Sequence, residues 1–162
     1  MKKITFILLA LIAGTSFAQV ETAEVFAEIV SPIKISSESD LNFGTINGTA
    51  TGGDVSVAFN GNRTFTNTDM EVTSAVTTTA ASFSIIAASG YVYSITIPDT
   101  QLNAVVGSSV MDVTFNHNRN NVSRRTGSGE GQDLLVGGTL TVGDNQDEGE
   151  YAGEVEVTVA YE

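Results

Sequence analysis

His117 is the only histidine in the sequence, so a nucleophilic triad or a histidine-based metal site would have to pass through it. Its neighbours are Asn116 and Asn118, and it stands where an alternating apolar run gives way to a polar stretch. Nothing nearby would orient it as a base. Carboxylates are abundant, but abundance selects no pair with the fixed separation that glycoside hydrolysis needs. The chain also has no tryptophan to form a sugar platform. One acidic run offers oxygen ligands of the kind calcium takes: Asp144, Asn145, Asp147, Glu148 and Glu150 around Gly149, with Asp144, Asp147 and Glu148 as the core set. Its twelfth position is Val155, which departs from the helix-loop-helix calcium pattern, and a solvated charged turn explains the run equally simply. Arg119, Arg124 and Arg125 are the one cationic cluster, suited either to an acidic partner or to keeping a loop in water. Asn47, Asn62 and Asn121 each open an N-x-S/T triplet. These residues predict a non-enzymatic protein without a cofactor.

Lys2 and Lys3 precede a largely apolar run from Ile4 to Ile12, and Ser16 and Ala18 supply the small side chains a signal peptidase requires. That layout predicts a signal peptide over residues 1–18, cleaved after Ala18, because the apolar run is too short for a bilayer core of about 30 Å. The product would be exported to the periplasm, the cell surface or the medium. No transmembrane segment is expected in residues 19–162, a length suited to one domain. Losing Lys2 and Lys3 leaves five basic residues against 19 acidic, a net charge of −14, which disfavours nucleic acid and anionic membranes as partners. With no cysteine, neither a disulfide nor a lipid-modified cysteine contributes.

The elements that would position these groups are strands, since the dominant pattern is period-two alternation rich in Val, Ile, Thr and Phe. Ala23, Val25, Ala27 and Ile29 alternate with Glu24, Phe26 and Glu28, and Pro32 interrupts before Ile33 and Ile35. Residues 19–30 are therefore either a first strand or an arm donated to a neighbour. Val55, Val57 and Phe59 lead into Asn60-Gly61, a hairpin turn in which both residues tolerate positive φ. Phe83 to Ala87, Tyr93 to Ile97 and Met111 to Phe115 repeat the theme; residues 118–133 read as a long mobile loop; Leu134 to Val142 and Tyr151 to Tyr161 read as the last two strands. Gly44, Gly143 and Gly149 stand where strands end and positive φ is expected, and Gly137-Gly138 inside a strand predicts a bulge or a close backbone approach. Seven or more short strands predict an all-β protein, an immunoglobulin-like antiparallel β-sandwich, with a small barrel as the alternative.

Counting back from Glu162, Tyr161 is second, Val159, Val157 and Val155 are fourth, sixth and eighth, and Gly149 is fourteenth. This spacing resembles the C-terminal signature of chaperone-usher pilin subunits, whose closing strand meets a periplasmic chaperone and then the donor strand of the next subunit. The runs 29–35, 40–46, 60–64, 81–84, 136–143 and 149–153 are together similar to the bacterial family called domain of unknown function 4402. That family is grouped with adhesin-like and spore-coat-U-like pilin sandwiches. The resemblance implies the same fold and an extracellular structural role. The chain departs from it in the acidic run 144–148, where the family has small residues, and in lacking the disulfide common in pilins. The expected function is a fimbrial or coat subunit assembling by β-strand addition, with itself or a chaperone as partner. A monomeric secreted carbohydrate- or protein-binding module is the alternative.

Overall fold

A computed structural model describes residues 19–72, 77–119 and 124–162. The fold is an all-β antiparallel sandwich, the class expected from the alternation. The strands are β1 (Lys34–Ser39), β2 (Gly53–Val57), β3 (Arg63–Phe65), β4 (Ala81–Ile86), β5 (Val92–Thr96), β6 (Thr100–Ala104), β7 (Val110–His117), β8 (Arg124–Thr126), β9 (Gly131–Val142), β10 (Tyr151–Ala152) and β11 (Thr158–Tyr161). The large sheet runs β1-β4-β9-β7-β6-β10, with β2 on β9 and β3 on β2; the small sheet runs β11-β5-β8.

β9 organises the large sheet because it is long enough to serve three partners. Its first half pairs with β4 (Ala81 opposite Val136), its second half with β2 (Val57 opposite Gly138), and its other edge with β7. The change of partner falls at Gly137. A Cβ there would stand 2.4 Å from the Val57 carbonyl oxygen, so the close approach expected of the glycine pair is what the fold uses. Gly138 faces inward, where a Cβ would come within 3.0 Å of Leu41.

The apolar residues form two clusters. Ile85, Tyr93, Leu134 and Val136 are buried between the sheets, with Val155, Val157, Val159 and Tyr161 packed against them. Val55, Val57, Met70, Met111, Val113, Leu140 and Val142 form the second, beyond the reach of the small sheet. That half is covered by Leu41, Phe43, Ile46, Tyr151 and a single 3-10 turn, Thr68–Met70, whose N-cap Asn67 accepts from the Asp69 amide at 3.1 Å. A cover of chain segments in place of a full sheet leaves room for the cleft described below.

Four local expectations are corrected. Residues 118–133 are not one loop: Arg124–Thr126 pairs with β5 and β9 already begins at Gly131. Arginine-rich sequence hid β8: on this edge strand Arg124 points to water while the Arg125 Nε is buried; Asn120 to Ser123 lie outside the described residues. The Tyr151–Tyr161 strand is two short strands in different sheets, because the chain leaves β6 after Ala152 and joins β5 at Thr158. At the β2–β3 hairpin only Gly61 takes positive φ (83°), since the connection is five residues long, with Gly61 N–H donating to Ala58 O. Gly44 and Gly149 have φ of 74° and 151°, but near Gly143 the left-handed residue is Asn145 (φ 51°).

Candidate assembly site

The C-terminal run alternates through its length: Val155, Val157, Val159 and Tyr161 are half-buried, and Glu154, Glu156, Thr158, Ala160 and Glu162 are exposed. Residues 153–157 belong to no strand, since they span the step between the sheets. Gly153 allows that step by lying against β6, where a Cβ would stand 2.8 Å from the Gln101 carbonyl oxygen. Across from this run lies the segment from Ile35 to Gly48, held to the domain beyond β1 by bridges at Asn42–Thr79 and Ile46–Glu71. Arg63 secures it by donating to the carbonyls of Phe43 and Thr45, both at 2.9 Å, with its guanidinium over the Phe65 ring.

Between these walls runs a cleft of about 790 Å³. Its floor is the inner face of the large sheet: Leu102, Met111, Val113, Phe115, Leu140 and Val142. A second hollow of about 570 Å³ lies further along the same C-terminal run, bounded by Ile35 and Ser37 on one side and by Glu154 to Val157 on the other.

Residues 19–33 join neither sheet. Val20, Val25, Phe26 and Ile29 are 81%, 93%, 84% and 98% exposed, and Ala23 and Ala27 are exposed as well. The base of this arm is fastened. Tyr161 OH donates to Ser31 O at 2.9 Å and accepts from the Ala88 amide at 2.7 Å, and the Tyr91 and Tyr161 rings meet edge to face with centroids 6.0 Å apart. The Tyr91 hydroxyl hydrogen-bonds the Glu28 carboxylate; this bond, then desolvation and the Glu28 and Tyr161 charges, lifts its pKa above the ordinary 10.0.

The acidic turn is organised by its own side chains. Gln146 donates to Tyr151 OH at 2.9 Å, Tyr151 donates to Asp147 O at 2.8 Å, and the Asp147 carboxylate accepts from Ser109. Among the described residues no three His, Asp or Glu side chains come together as a metal site, so Asp144, Asp147 and Glu148 are not gathered around a common point. The arginines have separate partners: Arg119 donates to Asp133 O at 2.6 and 3.0 Å, Arg124 pairs with Glu162, and Arg125 stands opposite Tyr93, where both it and Arg119 are near enough to act on Tyr93 and His117. His117 ends β7 opposite Val136 and accepts from the Arg119 amide at 3.2 Å. Burial, then Arg125 and Arg119, hold its pKa below 6.5. Sequence patterning picked out the arm, the C-terminal run and a short piece ending at Gly44, but not that 40–48 forms a wall: Leu41 and Phe43 alternate, yet the segment is held by isolated bridges and makes no strand.

Among the described residues no helix is long and apolar enough to cross a membrane. No curated protein matches the sequence. Residues 33–161 match the family model described as Domain of unknown function (DUF4402), and the chain belongs to that family.

Proposed function

We propose that this chain is an exported, non-enzymatic surface subunit, pilin-like in its use of β-strand addition to join its neighbours in a fimbria or coat. The observation that carries the reading is the arm at 19–30: a length of alternating sequence whose large apolar side chains are exposed and which, among the described residues, joins no strand of its own domain. Such a segment is costly in water and suited to completing another sheet. The half-buried C-terminal valines and the unpaired stretch 153–157 support it, since they leave an apolar edge beside a strand-sized opening. A periplasmic chaperone presenting an extended strand would engage the same edge before assembly.

Electrophoresis of the secreted material tests this, with samples loaded unheated and heated in detergent. A ladder of multiples that collapses to one band on heating is expected, because strand-exchanged contacts carry continuous backbone hydrogen bonding. A single monomer band in both lanes would instead fit a monomeric binding module.

A further inference from the structure

We propose that the acceptor is the cleft between residues 35–48 and 146–157, that its occupant is the 19–30 arm of a second copy, and that like charges on the two partners hold insertion back until salt screens them. This rests on the strand-addition reading and names its partner, its site and its control.

The occupant follows from length and chemistry. Twelve extended residues reach about 40 Å at roughly 3.3 Å each, long enough to follow the apolar floor from one hollow into the next. One face of the extended arm carries Ala23, Val25, Ala27 and Ile29, which would meet the apolar floor; the other carries Glu24, Phe26 and Glu28. The backbone at 153–157, which belongs to no strand, would provide a ladder for the incoming strand. Position makes the occupant a second copy. The arm is fastened at Ser31 beside Tyr161, whereas the larger cleft lies by Gly48 and Gln146, at the other end of the C-terminal run. Donor and acceptor at opposite ends make a heterologous contact that propagates and does not close.

Charge opposes the insertion. The arm brings Glu21 and Glu24 to a cleft bordered by Asp40, Asp147, Glu148, Glu150 and Glu154, whereas Glu28 stays on its own Tyr91; no Lys, Arg or His of the described residues lines either hollow. Screening shortens the range of this repulsion from about 10 Å at 0.1 M salt to about 3 Å at 1 M.

The chain has no cysteine, so single cysteines can be introduced cleanly. Residues 19–162 carrying Val25→Cys would be mixed with the same chain carrying Thr45→Cys or, at a second acceptor position, Asp40→Cys, with Thr64→Cys on exposed β3 as the control. Disulfide-linked heterodimer would be measured in a glutathione redox buffer. Linkage to either cleft position should exceed the control about tenfold, and the rate should rise severalfold from 0.1 to 1 M NaCl. In a Glu21→Gln, Glu24→Gln background, which leaves the Glu28–Tyr91 bond at the arm's base intact, the low-salt rate should be high and the salt response small. Polymers that form without preferring the cleft cysteines would overturn the acceptor assignment and leave strand addition at another edge. Cleft linkage indifferent to salt and to the glutamine changes would overturn the electrostatic control. Absence of any polymer at either salt would remove this proposal and strand addition together.

Discussion

At Tyr161 one phenol joins the closing strand to Ala88 and to Ser31 at the root of the arm. The inward direction of Val155, Val157, Val159 and Tyr161 was legible in the sequence, because a period of two allows no other face to be apolar. The partners of the Tyr161 hydroxyl were not, since they lie 73 and 130 residues away in the chain. His117 was legible as the end of an alternating run, and its environment makes a prediction of its own. Its pKa is about 6.5 when unfolded and lower when folded, so the unfolded chain binds more protons between the two values. The stability this group contributes is complete above pH 6.5 and is lost as pH falls through the folded value. Thermal midpoints at pH 7.5 and 5.5 should therefore fall further for the native chain than for His117→Gln; equal falls would show that His117 does not contribute.

Among the elements, β9 was placed correctly from Leu134 to Val142 but begins earlier than its apolar run suggests, at Gly131. Gln132 and Asp133 extend it because β4 supplies partners as far as Ile86, a long-range effect that local alternation does not carry. The C-terminal run was legible as extended and not as divided, since the step from β6 to β5 is set by two neighbouring sheets. Gly137 is where β9 changes partner, and its missing side chain is required by the Val57 carbonyl. Gly137→Ala should destabilise the fold by about 2–3 kcal/mol, the cost of forcing atoms into a filled space. Urea unfolding followed by circular dichroism would read this as a lower midpoint, and an unchanged midpoint would mean that the β2–β9 contact yields easily.

For the molecule as a whole, the sandwich class and the singular character of residues 19–30 were legible, because both are written in alternation and composition. The cleft was not: it arises where segments 40–48 and 146–157 cover half of a sheet that the small sheet does not reach, and those segments meet only after folding. Residues 19–162 carry a net charge of −14, which would keep separate copies apart in dilute salt, so the proposed assembly requires a specific contact and not general stickiness. The most direct measurement compares residues 19–162 with residues 31–162 by sedimentation velocity at high salt, with circular dichroism of both to establish folding. The account predicts polymers from the longer chain and a folded monomer from the shorter one. Polymers of equal size from both, or a shorter chain that no longer folds because the arm was its own first strand, would contradict it.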